Sequence, residues 1–243
     1  MKIAVIYGSP RNGSTNKAVS LFKERMQQCG NVEFREFFLP KDMPEFCRGC
    51  FTCILNDEHK CPHFRFTEPV VSALLEADGF IFSSPVYVMA ESAGMKALLD
   101  HLAWLFLVHR PKPEMFAKKA VILSTTAGAG TRRCIAMIRE SLLYWGVNRI
   151  YGYGFILHSA SWKGIEEKRR EKTENKIQAK AVKFYREVAS GKRRRPYLKQ
   201  WFMFNAVRMF IKKDKNTSVD RKYWEKNGWL GKNSPFKQPT GQR

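Results

Sequence analysis

The clearest alternation along the chain is between short runs of Val, Ile and Phe and longer stretches with apolar residues at helical spacing. Ile3-Ala4-Val5-Ile6-Tyr7 reads as a strand covered on both faces. Ala18, Leu21, Phe22 and Met26 then fall on one side of a helix running from about Ser14 to Cys29, ended by Gly30-Asn31. Val32 to Phe38 is a second strand, and its central Arg35 and Glu36 suit an edge position. A helix from about Arg65 to Ala77 precedes a third strand, Gly79 to Ser84. A helix from Ser92 to Val108, a strand from Ala120 to Ser124 and a helix from Arg132 to Trp145 follow. Ile150 to Leu157 is the fifth strand, and Lys163 to Ala189 a long charged helix. Strands alternating with helices predict an α/β chain with a doubly wound, five-stranded parallel sheet.

In such sheets ligands bind beyond the carboxyl ends of the strands, near the point where strand order reverses. Three loops at that edge stand out. Gly8-Ser9-Pro10-Arg11-Asn12-Gly13 breaks regular structure and leads into a helix opened by Ser14, Thr15 and Asn16. That turn aims backbone N–H groups and the positive end of a helix at one spot, which suits a phosphate. It is neither Gly-x-Gly-x-x-Gly nor Gly-x4-Gly-Lys-Ser/Thr, so no Rossmann turn or Walker loop is indicated. The second loop, Ser84-Pro85-Val86-Tyr87-Val88-Met89, offers a stiff, flat, largely apolar wall. The third, Thr125-Thr126-Ala127-Gly128-Ala129-Gly130, lets backbone come close to a ring edge. No Ser-His-Asp triad or paired carboxylate site is evident, and no catalytic side chain is assigned.

Gly8-Ser9-Pro10-Arg11 with Gly13-Ser14-Thr15 closely resembles the phosphate loop of the flavodoxin-like NAD(P)H-dependent FMN reductases, a group that includes the iron-sulfur flavoproteins. The segment from Ala77 through Ser83-Ser84-Pro85-Val86-Tyr87, followed by Ser92-Ala93-Gly94-Met95-Lys96, resembles the same group, over residues 1 to about 160. The resemblance implies a flavodoxin-like fold and bound FMN. Ser9, Arg11, Ser14, Thr15 and Asn16 would hold phosphate; Pro85, Val86, Tyr87 and Val88 would flank the ring; Thr126, Gly128 and Gly130 would meet its other edge. The implied activity is an oxidoreductase that passes electrons from NAD(P)H through flavin to a second acceptor. Homo-oligomers are common in the group, so a homo-oligomer is expected.

Six cysteines are present, four of them in Cys47-x2-Cys50-x2-Cys53-x7-Cys61. Met1-Lys2 leads straight into the first strand, which leaves no room for a signal peptide, so the expectation is a cytoplasmic protein. In that setting the quartet favours a metal or redox cluster over disulfides. It resembles the cluster motif of iron-sulfur flavoproteins, which would place a [4Fe-4S] cluster on Cys47, Cys50, Cys53 and Cys61. Zinc and free thiols are the alternatives. With a cluster, the chain would be an electron carrier fed by ferredoxin.

The formal net charge of +21 is uneven. Residues 161–243 carry 24 Lys/Arg against 8 Asp/Glu, whereas residues 1–160 carry 19 against 14. The division expected is an FMN-binding domain over 1–190 and a basic arm over 191–243. Tyr197 to Ile211 mixes Trp201, Phe202, Phe204 and Phe210 with Lys199, Arg208, Lys212 and Lys213. Apolar residues on more than one face favour packing against protein, as an arm on a partner subunit, over lying on an anionic membrane surface. Asp220-Arg221-Lys222-Tyr223-Trp224 through Gly228-Trp229-Leu230 is similar to a C-terminal element of some members of the group. No RNP, helix-turn-helix or zinc-finger pattern points to nucleic acid. A non-catalytic binding protein that works through its basic tail is the remaining alternative.

Overall fold

The computed structural model describes residues 1–213 and 218–237; residues 214–217 and 238–243 of the basic arm lie outside the described residues. Five strands, β1 (Lys2–Tyr7), β2 (Glu33–Phe38), β3 (Gly79–Pro85), β4 (Lys119–Thr126) and β5 (Arg149–Ile156), form one parallel sheet in the order β2-β1-β3-β4-β5. This is the flavodoxin-like arrangement expected. The chain winds to one side of β1 for β2 and to the other for β3, so strand order reverses between β1 and β3.

Because successive strand residues face opposite sides, each strand feeds two cores. Ile3, Val5, Ile81, Val121 and Leu123 pack beneath α1 (Ser14–Cys29) and the long, later helix α6 (Glu167–Ala189), against Phe22, Met26, Ile177 and Phe184. Ala4, Ile6, Phe80, Phe82 and Ile122 face the opposite layer, which includes α3 (Phe64–Glu76), α4 (Ala93–His101) and α5 (Thr131–Tyr144). One turn, α2 (Thr52–Leu55), lies in the cysteine loop. Helix α4 stops well short of Val108. The Leu102 N–H is shared between Leu98 O and Leu99 O, which tightens the last turn into the short 3₁₀ segment Ala103–Leu105.

The described part of the stretch beyond residue 190 folds back on its own chain. It contains α7 (Leu198–Lys213) and α8 (Val219–Lys226). Gln200, fully buried, donates from Nε2 to Leu143 O and Val147 O at 2.9 Å each. Asn148 exchanges two hydrogen bonds with the Arg194 backbone, at 2.7 and 2.8 Å. Phe204, Ile211, Trp224 and Trp229 make a third core with Leu107 and Phe116. The aromatic residues of the arm thus divide between an inward set on this chain and an exposed set that includes Trp201, Phe202 and Phe210.

Candidate functional site

Parallel register brings three strand ends to one edge. Tyr7 pairs with Ser83, and Pro85 with Thr125. The Gly8 N–H donates to Ser83 O at 2.6 Å, and the Val86 N–H to Thr125 O at 3.1 Å. A side chain on Gly8 would meet Ser83 O at 2.8 Å and Ser92 Oγ at 2.9 Å, so only glycine allows the first loop to leave the sheet this close to β3.

Around these ends lies a cleft of about 240 Å³. The first loop contributes Ser9, Arg11, Ser14 and Thr15; the second, Pro85, Val86 and Tyr87; the third, Thr126. Three sequence-distant loops therefore share one space next to the β1/β3 reversal. Helix α1 has Gly13 at its N-cap and no side-chain cap, and the buried Ser14 Oγ has no partner among the described residues. An uncapped helix start with an unpaired buried hydroxyl beside it is a donor set of the kind an anionic phosphate requires. Arg11 is exposed at the rim and carries no carboxylate partner among the described residues. Ser9 Oγ accepts from the Arg11 N–H at 3.3 Å and holds the turn. The residues present thus fit a phosphate-bearing flavin.

The second loop is a small hairpin. Tyr87 and Ala90 exchange backbone hydrogen bonds at 3.0 Å, and the tip residues Val88 and Met89 both have positive φ, 47° and 63°. For a β-branched residue that conformation is strained. Val88 stands fully exposed at the tip and does not line the cleft. Tyr87, at the base, lines this cleft and a second, more apolar one of about 290 Å³ that reaches Met43 and Phe46.

Other expected contacts also fall elsewhere. Asn16 is buried in the first turn of α1 and is not in the cleft wall. Gly128 stands in open space, where a side chain would find nothing within 4 Å of its Cβ. Gly130, with φ 99°, lies under the hairpin: a Cβ there would fall 2.6 Å from Val86 Cγ1. Its smallness accommodates the close packing of the third loop on the hairpin. Conversely, Thr125, Ala127, Leu157, Ser159 and Ala160 line the cleft. The last three follow β5, whose carboxyl end reaches the same edge; that position was the signal available in the sequence.

The cysteine quartet occupies one loop between β2 and α3. Cys47 and Cys50 are exposed, Cys53 and Cys61 partly buried. Burial, and then the nearby Cys61, Cys47 and Cys50, push the Cys53 thiol up. Burial also raises Cys61. Among the described residues no three Cys, His, Asp or Glu side chains converge as a metal-holding group. The donors are right in kind for a cluster but do not close around one point in this conformation. The loop is tied down by Arg110, whose buried guanidinium donates to Cys53 O and to Ile54 O (3.0 Å). The same guanidinium pairs with Glu58 (3.3 Å) and with Asp220 of α8.

Residues 1–161 match the family model described as NADPH-dependent FMN reductase. An iron-sulfur flavoprotein of Archaeoglobus fulgidus is 27% identical over 158 residues, 64% of this chain and 69% of that protein. An iron-sulfur flavoprotein of Methanocaldococcus jannaschii is 35% identical over 100 residues, 41% of this chain and half of the relative. Among solved structures, an azoreductase from Bacillus anthracis superposes with a TM-score of 0.61 at 15% identity, over 76% of this chain and all of that one, a likeness of fold. With its flavodoxin-like sheet, its uncapped α1 start facing the Pro85–Tyr87 wall, and a family match across two thirds of its length, this chain belongs to the NADPH-dependent FMN reductase family.

Proposed function

We propose that the cleft between the first, second and third loops is the flavin site of this FMN-dependent oxidoreductase, and that electrons from NAD(P)H leave it for a second acceptor. Family membership supplies FMN as the cofactor and NAD(P)H as the donor. The observation that carries the placement is the unpaired, buried Ser14 Oγ at the uncapped start of α1, sharing one cleft with Pro85, Val86 and Tyr87. Ser14, the N–H groups of the first turn and Arg11 would hold the phosphate. Pro85, Val86 and Tyr87 would support the ring, with Thr126 and Ala127 at its far edge. Bound FMN supplies the hydride and electron chemistry. The chain contributes binding, orientation and exclusion of water, which is why no acid–base pair is needed in the cleft.

The test uses the purified full chain. Bound flavin absorbance that bleaches anaerobically on adding NADPH or NADH supports the reading. Colourless protein that takes up no added FMN would sink it.

A second reading draws on the cysteine quartet and on the names of the two archaeal relatives, both iron-sulfur flavoproteins. In it the loop closes around a [4Fe-4S] cluster, and the protein serves as an electron carrier fed by ferredoxin. Iron and acid-labile sulfide near four per chain, lost together in Cys50→Ser, support it. Preparations made under anaerobic, iron-replete conditions that hold neither would rule it out.

A further inference from the structure

Helix α7 is apolar on two sides, and the inner side is fully accounted for. Phe204 and Ile211 are buried in the third core, and Gln200 is fixed to Leu143 and Val147. For that face the chain itself supplies the protein that covers it. The other face remains. Leu198, Phe202 and Met209 repeat at helical spacing with Trp201 beside them, along about 16 Å of helix. They are 86%, 68%, 62% and 54% exposed respectively, and Phe210 at the margin is 73% exposed. Side chains of this size, repeated along one exposed helix face with Asn205 between them, mark a surface that something covers.

Charge decides what covers it. Residues 191–243 hold fifteen Lys and Arg against three acidic residues. The two acidic residues described there are engaged on their own chain: Asp220 with His109 and Arg110, Glu225 with Arg221. Lys212 and Lys213 close the end of the stripe with no carboxylate partner among the described residues. A second copy docking face to face would set these lysines against their own counterparts if the helices ran parallel, or against the equally basic Arg193–Lys199 end of the partner helix if they ran antiparallel. An anionic lipid surface supplies the missing countercharge and receives Trp, Phe, Leu and Met at its headgroup boundary. No helix among the described residues is long and apolar enough to cross a membrane.

We propose that the outward face of α7 docks on an anionic lipid bilayer. Leu198, Trp201, Phe202 and Met209 enter the interface, Lys212 and Lys213 meet the headgroups, and the protein lies on the membrane without spanning it. This does not depend on the flavin assignment.

The experiment is co-sedimentation of the full-length protein with large vesicles of phosphatidylcholine alone and of phosphatidylcholine with phosphatidylglycerol, two to one. Binding is expected to the anionic vesicles only, with a blue shift of tryptophan emission, since Trp201 is an exposed indole at the contact. Phe202→Glu with Met209→Glu should abolish binding while leaving the melting temperature and flavin content unchanged, because both side chains lie outside the core. Lys212→Gln with Lys213→Gln should weaken binding by about tenfold, and added salt should do the same. Three results would overturn the proposal: equal recovery with neutral and anionic vesicles, undiminished binding by the Phe202→Glu, Met209→Glu protein, or a wild-type dimer that this variant splits into monomers.

Discussion

The hydroxyls of Thr15 and Thr125 lie 2.7 Å apart in a buried position, joining the first turn of α1 to the last residues of β4 across 110 positions of sequence. The bond spans the strand-order reversal and holds two walls of the cleft at a fixed separation. Replacing Thr15 by Val leaves the Thr125 hydroxyl buried and unpaired, at a cost of about 1–3 kcal/mol. Thr15→Val with Thr125→Val should cost less than the two single changes summed. A double-mutant cycle by denaturant unfolding measures this, and additive single effects would show that the pair is not coupled.

Ser14 makes the opposite kind of prediction. Its hydroxyl has no partner among the described residues, so Ser14→Ala should leave the unfolding free energy of the flavin-free protein within about 0.5 kcal/mol of wild type. FMN affinity should fall by about tenfold through loss of a hydrogen bond to a charged group. Riboflavin, which lacks the phosphate, should bind both proteins alike. A parallel loss for riboflavin would place Ser14 away from the phosphate.

At Gly130 the third loop passes under the hairpin with φ 99°. Alanine there is strained by its backbone and collides with Val86 Cγ1, so Gly130→Ala should destabilise the protein by about 1–3 kcal/mol. Val86→Ala in that background should restore part of the loss, because it removes the collision but not the strain. Thermal unfolding of the single and double variants reads the difference.

Arg110 is a buried cation with four partners, so Arg110→Ala should cost about 3–5 kcal/mol and expose the 47–61 loop to limited proteolysis. The pH dependence follows from Glu58. Burial opposes its ionisation, but Lys112 at 2.9 Å and Arg110 outweigh burial and hold its carboxyl below the ordinary value of 4.5. A carboxylate with a depressed value stabilises the fold fully above its ordinary range, and that contribution fades as pH falls through the depressed value. The stability gap between wild type and Glu58→Gln should therefore be widest near neutrality and close on acidification below about pH 4. Unfolding curves for both proteins between pH 3 and 7 test this; a gap that widens on acidification would contradict it.

The sheet was legible because each strand is a run of β-branched and aromatic residues with turn chemistry after it, as in Ile3–Tyr7 before Gly8 and Phe80–Phe82 before Pro85. That the loops after β1 and β3 stand at one strand edge was legible for the same local reason. What lay hidden was set by tertiary contact. Val88 looks like a wall residue until the Tyr87–Ala90 pairing turns it outward. Ser159 and Ala160 have no motif and enter the cleft only because β5 ends at the same edge. The helix over Val219–Lys226 gives a weak signal because it is short and mostly charged. Its place is fixed by Trp224, whose Nε1 donates to His109 O at 2.7 Å from 115 positions away.

Asp220 gives the Arg110 socket an order of assembly. The guanidinium fastens the backbone of the cysteine loop, yet one of its two carboxylates is translated after almost everything it secures. On the ribosome the loop would wait, half fastened, until residue 220 has cleared the exit tunnel. A nascent or prematurely stopped chain would thus possess its parallel sheet while its thiol-bearing loop lacked one of the two carboxylates that anchor its arginine clasp.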